Sequence, residues 1–325
     1  MKVVHRKSPF IRQFSGPGKN GIVCFRFWQA IVASGCPGEC AYCFLQTQFP
    51  YRRELYNLKG TLFQNLEGIA PEATRWLKRP KPAGLIIGEN QDGLAFEQPY
   101  KRLLGITPLE LLIPLFDSRK LNPTGHTLIV LSKFTDTQSV EASGPSPNVI
   151  LSWSLSLPTI DELYEKKVAP LSKRLTKAAS MRKEGYRVRL RLDALAPIPD
   201  WENDLERVVT AVNEIGPEML TVGALRASNA WALRQAAITN ERDDSIFDYM
   251  SSKDRSGFKY RTGFAFQVRV FRRIKELLDS TIPLGLCKED QSVWKAVGLS
   301  WQGCHCLNCG ADLITSERRS LLAEL

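Results

Sequence analysis

No stretch of this 325-residue chain approaches the ~20 consecutive apolar residues of a membrane-spanning helix. The opening Met1-Lys-Val-Val-His-Arg-Lys7 carries no apolar leader region, so no membrane contact and a cytoplasmic location are expected. Acidic residues are the scarcer charge: 34 Asp+Glu face 44 Lys+Arg, a net charge of +10. Such a surplus attracts polyanions, and nucleic acid is the partner it points to. Cysteine is absent everywhere between Cys43 and Cys287, although the chain holds eight. In a reducing compartment, cysteines crowded in this way are more often metal ligands than disulfides.

The first crowd is Cys36-Pro-Gly-Glu-Cys40-Ala-Tyr-Cys43, spaced C-x3-C-x2-C. Three thiolates suit an iron–sulfur cluster that wants four ligands, and they leave one iron open to a small molecule. A structural zinc site would need a fourth ligand nearby. The second crowd is Cys304-His-Cys306-Leu-Asn-Cys309, with Cys287 upstream. Four sulfurs can enclose a metal, and both a second 4Fe–4S cluster and zinc fit. His305 is an alternative to Cys287 as ligand. Cys24 reads as a small core residue.

Between the two crowds, apolar runs alternate with amphipathic stretches. The strand candidates are Phe27–Ser34, Gly84–Glu89, Thr127–Lys133, Asn148–Ser156, Arg187–Leu195 and Met219–Arg226. Thr107-Pro-Leu-Glu110 and Thr159-Ile-Asp-Glu162 read as capping boxes. Asp200 is placed to cap a helix over Trp201–Ile215, which Gly216-Pro217 ends, and Phe264–Asp279 reads as a late helix. Six β/α units predict an α/β fold with a parallel sheet, and six do not close an eight-fold barrel, so a partial (β/α)6 barrel is expected over 27–282. Residues 1–26 form a basic N-terminal extension, and 283–325 a C-terminal cysteine-rich metal-binding module. Gly16-Pro-Gly18-Lys-Asn-Gly21 matches a dinucleotide fingerprint only formally, because no strand precedes it. Period-2 polarity in Arg187–Asp193 and Ile150–Ser156 puts Arg189, Arg191, Asp193, Ser152 and Ser154 on interior faces, suited to a polar or anionic ligand.

With Tyr42 as its aromatic, the Cys36/Cys40/Cys43 motif resembles the radical S-adenosylmethionine superfamily. Ser34 to Thr47 resembles the spore photoproduct lyase family within it. So do Tyr186 onward, Leu220–Arg226, Lys259-Tyr-Arg261 and Pro283–Cys287. The resemblance implies a 4Fe–4S cluster at Cys36, Cys40 and Cys43 and bound S-adenosylmethionine. The cluster's reductive cleavage of that cofactor would yield a radical that abstracts hydrogen from a substrate. It implies an electron donor such as flavodoxin or ferredoxin. By position it places Gly88-Glu89 at the cofactor's amino group, Ser154 at its ribose and Tyr42 against its adenine, with Arg191 and Asp193 beside them. The lyase family returns a hydrogen atom from a cysteine soon after the second strand. Gly88-Glu-Asn-Gln-Asp-Gly-Leu-Ala95 has none, which leaves Tyr51 and Tyr56 as candidate donors.

Three functions follow. The first is a radical enzyme, of lyase or base-modifying type, acting on a nucleic acid base in DNA repair or modification. Lys78-Arg79-Pro-Lys81 and Arg272-Arg273-Ile-Lys275 are its candidate phosphate contacts. The second is a radical enzyme modifying a peptide or small molecule with an auxiliary cluster. The third is a zinc-stapled nucleic-acid-binding protein without catalysis.

Overall fold

The computed structural model describes residues 1–14, 22–23, 27–46, 60–227, 229–253 and 260–300. Its centre is an eight-stranded sheet. In chain order the strands are β1 (Ile11–Phe14), β2 (Phe27–Ala30), β3 (Gly84–Ile87), β4 (Thr127–Ser132), β5 (Val149–Leu155), β6 (Arg187–Leu195), β7 (Leu220–Ala224) and β8 (Leu284–Leu286). Spatial order equals chain order from β1 to β8. β1 runs antiparallel to β2, and β2 to β8 are parallel throughout. Sequential parallel strands joined by right-handed crossovers stack their helices on one face and leave the other free.

The sheet takes in strands from both sides of the 27–282 range. β1 comes from the basic N-terminal stretch, and β8 leads directly into Cys287. A second small sheet pairs Ala33–Ser34 with Thr61–Phe63, and Thr61–Phe63 with Lys2–Val4. It draws the chain away from β2 just before the cysteine loop.

The helix-covered face buries Leu85, Ile87, Leu128, Val130, Leu151, Trp153, Val188, Leu190, Leu192 and Val222 in the main core. The free face carries a separate apolar cluster of Phe27, Ile86, Ile129, Leu131 and Ile150, against which Phe14 packs. In-register partners of a parallel sheet share a face, and Ile150↔Arg187, Ser152↔Arg189 and Ser154↔Arg191 continue it across β5 and β6. The free face therefore changes from apolar to charged partway across the sheet.

The helix Pro108–Asp117 opens on the expected capping box: Thr107 Oγ1 accepts from Glu110 N at 3.1 Å, and Glu110 Oε2 accepts from Thr107 N at 2.9 Å. The second expected box is absent. That helix spans Pro158–Tyr164 behind Leu157, so Thr159 lies inside it and has no capping role. Asp200 does precede the helix Trp201–Ile215, but its backbone is left-handed and its carboxylate makes no capping bond. Among the described residues, no helix is long and apolar enough to cross a membrane.

Candidate active site

Every parallel strand delivers a side chain to one cavity of about 330 Å³ at its carboxyl end. After β2 come Cys36, Cys40, Tyr42 and Cys43, and after β3 Gly88, Glu89, Gln91 and Asp92. Lys133 follows β4, and Ser154 sits near the end of β5. Arg191 and Asp193 sit near the end of β6, while Arg226 and Lys288 follow β7 and β8. The structure thus brings together Cys36, Cys40, Cys43, Tyr42, Gly88, Glu89, Ser154, Arg191 and Asp193 from the sequence expectations.

Other expectations fall elsewhere. Ser152 and Arg189 are buried on the free face but do not line the cavity, and Arg189 pairs with Glu218 at 3.5 Å. Lys78 and Lys81 are exposed, while the arginines of the two basic runs and Lys275 have partners within the fold. Arg79 lies 3.8 Å over Trp28 just before β3, at the opposite end of the strands from the cavity. Arg272 donates to Ala296 O, Arg273 pairs with Glu206 and Glu276, and Lys275 donates to Gly298 O. Tyr51, Tyr56, Cys24, Cys304, His305, Cys306 and Cys309 lie outside the described residues.

Gly88 is required by geometry. Its φ is +119°, and a Cβ there would sit 2.1 Å from the Leu131 carbonyl oxygen. That close approach lets β3 turn straight into Glu89 and Asp92. Gly88→Ala is expected to cost about 3 kcal/mol or more, because backbone rather than a movable side chain must give way. Chemical denaturation monitored by circular dichroism checks this.

Beneath the cysteine loop lies a buried charge network. Glu165, with a side chain 0% exposed, accepts from Tyr42 Oη, Lys133 Nζ, Ser156 Oγ at 2.6 Å and Arg174 Nη2 at 2.9 Å. Lys133 Nζ also donates to Tyr42 Oη at 2.7 Å, and Arg174 pairs with Asp161. Burial alone would raise the Glu165 carboxyl; Lys133 and Arg174 overcome it and bring the pKa down to about 2. Tyr42 is thus anchored by its hydroxyl while lining the cavity. Gln46 Nε2 holds the loop's far end through the carbonyls of Cys40 and Ala41.

The opposite wall is a second ion set. Arg191 Nη2 donates to Asp193 Oδ2 at 2.8 Å, and Arg226 Nη2 to the same oxygen at 2.9 Å. Arg191 Nη1 donates to Glu89 Oε1 at 3.3 Å, and Lys288 Nζ lies 3.7 Å from Glu89 Oε2. Burial would raise Glu89 and Asp193, but Lys288 and Arg191 hold Glu89, and Arg226 and Arg191 hold Asp193, below the usual carboxylate range. A Cβ at Gly223 would lie 2.9 Å from both Arg226 Nη1 and Asp193 Oδ2, so the bare β7 backbone makes room for this pair. Cys287, 3% exposed, has its sulfur 3.2 Å from Arg191 Nη2 and 3.6 Å from Arg226 Nη2. It therefore joins this ion set on the sheet's free face, while the other sulfurs of the expected C-terminal centre lie outside the described residues.

Sequence reasoning missed Lys133, Glu165, Arg174, Asp92, Gln91 and Lys288. Lys133 carried a signal, as the first charge beyond an unbroken apolar strand. Asp92 is buried and saturated by Ser132 Oγ at 2.6 Å and the amides of Leu94, Ala95 and Lys133.

The three loop cysteines suit a metal cluster. Burial pushes the Cys36 thiol well up, the Cys40 thiol up to about 12 and the Cys43 thiol up, with neighbouring thiols adding repulsion at Cys36 and Cys40. Three packed thiols of this kind ionise when a cationic centre sits among them. The three cysteines line one cavity, as a multi-iron cluster bound by one thiolate to each of three irons would require.

No protein-family model matches the chain. The spore photoproduct lyase of Clostridium acetobutylicum is 20% identical over 190 residues, which is 58% of this chain and 52% of that protein. The match thus spans about half the length of that relative. Among solved structures, spore photoproduct lyase complexed with dinucleoside spore photoproduct superposes with a TM-score of 0.64 at 15% identity, covering 88% of this chain and 82% of that one. A variant with bound AdoMet and dinucleoside spore photoproduct superposes with a TM-score of 0.59 at 16% identity, covering 78% and 74%. The chain shares the fold of spore photoproduct lyase, a mixed α/β fold built on a large parallel sheet.

Proposed function

We propose that this protein is a radical S-adenosylmethionine enzyme acting on a nucleic acid base. The observation that carries the reading is the meeting of three cysteines with Glu89, Ser154, Arg191 and Asp193 around one cavity, at the carboxyl ends of this sheet. Cys36, Cys40 and Cys43 would hold a 4Fe–4S cluster. When bound and reduced, that cluster supplies one-electron cleavage of S-adenosylmethionine, giving a 5′-deoxyadenosyl radical that abstracts hydrogen from the substrate. Glu89 is oriented by Arg191 and Lys288 and kept ionised, ready to accept from the cofactor's amino group. Ser154 faces the ribose and Tyr42 the adenine. The sheet is taken to curl about its free face as a partial (β/α)6 barrel over 27–282, with 1–26 and 283–325 each adding an edge strand to it.

The nucleic acid substrate is supported by the net charge of +10 and by the dinucleoside bound to the structural relative. A base within a duplex would have to be flipped into the cavity. A second centre, 4Fe–4S or zinc, is placed at Cys304, Cys306 and Cys309. Cys287 is its proposed fourth ligand, with His305 as the alternative. Tyr51 and Tyr56 remain the proposed hydrogen donors, and flavodoxin or ferredoxin the electron source.

Anaerobic reconstitution followed by reduction with S-adenosylmethionine tests this. Added alone to oxygen-free protein, the cofactor should change the cluster's spectrum. With deuterated DNA, RNA or nucleoside present, released 5′-deoxyadenosine should carry deuterium. Binding to nucleic acid should weaken with salt, since each phosphate contact contributes to the slope. An unchanged spectrum removes the enzyme class; a flat salt dependence removes the nucleic acid.

A further inference from the structure

Arg242 lies outside the cavity wall, just beyond the helix Ala230–Thr239, yet its side chain is only 4% exposed. Its Nη2 donates to Glu39 Oε2 at 3.2 Å, between Cys36 and Cys40. Glu39 has a left-handed backbone, φ +52°, and its other oxygen takes Lys167 Nζ at 2.8 Å. The loop tip is therefore clamped from two sides. Among the described residues, Arg242 Nη1 is buried and has no hydrogen-bond partner. A buried guanidinium N–H left unpaired carries a desolvation cost that a native fold rarely leaves uncompensated. The positive charge also acts on the Cys43 thiol, opposing the effect of burial.

A cation and a free N–H donor beside a cysteine loop fit one kind of occupant, an anionic sulfur-rich centre. A 4Fe–4S cluster with three thiolates becomes more negative on reduction. Hydrogen bonds to its sulfurs, and nearby positive charge, favour the reduced form.

We propose that Arg242 is a positioning residue that clamps the cysteine loop through Glu39 and gives its free N–H to the cluster beside that loop, raising the cluster's reduction potential. This rests on the cluster proposed above. Glu39 sets the direction of the guanidinium, and Arg242 contributes to electron acceptance without touching substrate.

The test is a redox titration of the reconstituted protein, followed by the electron paramagnetic resonance of the reduced cluster. Arg242→Met should lower the reduced-to-oxidised ratio at fixed potential about tenfold, which is 59 mV for one electron. Arg242→Lys keeps the charge without the fork and should recover part of the shift. Glu39→Gln releases the clamp and should lower iron retention more than potential. Should Arg242→Met fail to load iron, the lysine and Glu39 variants still decide. Equal potentials in wild type and every variant that loads overturn the inference. A wild-type protein with no reducible cluster overturns the functional reading itself, and so the two failures are distinct.

Discussion

Cys40→Ala is expected to bring 5′-deoxyadenosine release down to background, while Cys306→Ala leaves it measurable. Cys40 is 9% exposed and sits mid-loop, between the clamp at Glu39 and the anchor at Tyr42. Gln46 also fixes the Cys40 carbonyl at 2.8 Å, so the backbone that carries this sulfur is held on both sides. Losing that sulfur would leave two for the proposed cluster, which would take three from the protein. The fold should survive, because the alanine deletes one sulfur atom and the loop's backbone contacts stay. Circular dichroism should therefore match wild type while iron content falls. Cys306 belongs to the second centre proposed above, and its loss should uncouple substrate turnover from cofactor cleavage. Chromatographic assay of 5′-deoxyadenosine per mole of protein separates the two variants. Equal loss in both would contradict two centres with separate roles.

The β/α alternation and the cysteine spacing exposed the sheet and one wall of the cavity because both are local patterns. Arg187–Leu195 and Trp201–Ile215 fall where periodicity and the closing glycine put them. Charges at every second position of β6 marked the polar face, and the register with β5 placed Ser154 beside Arg191. What stayed hidden depends on distance along the chain. Glu165 meets Tyr42 across 123 positions, and Arg191 meets Cys287 across 96, so no window of sequence contains either pair. β1 stayed hidden because polar Arg12 and Gln13 separate its two apolar residues, Ile11 and Phe14. The basic runs show the same dependence on distance: Arg79 meets Trp28 and Arg273 meets Glu206, each far away along the chain. Thr159 read as a cap until Pro158 took the first helical position in front of it.

Glu165→Gln should be the most destabilising single change near the site, at about 3 to 5 kcal/mol, with Tm falling by roughly 6 to 10 °C. The glutamine leaves Arg174, 0% exposed, with Asp161 as its remaining carboxylate, and leaves Lys133 without its ion partner. Its amide oxygen can still accept from Tyr42 Oη, but the NH2 that replaces the second oxygen faces the Arg174 guanidinium donor to donor, so loop order and cluster retention should fall together. Arg174→Met should cost a similar amount, because Glu165 is then buried with less than its complement of charge. The double variant should lose less than the sum, since each partner's unpaired penalty is removed with the other. The same carboxylate gives wild type an acid limit. Its folded pKa of about 2 lies below the ordinary 4.5, so the stabilisation is full above pH 4.5 and is lost as pH falls from there through about 2. The size of that loss, 2.5 units at 1.36 kcal/mol each, is about 3 kcal/mol. Denaturant melts of wild type and Glu165→Gln between pH 7 and pH 3 should converge as the medium is acidified. Parallel curves across that range would show that Glu165 is not held ionised by Lys133 and Arg174.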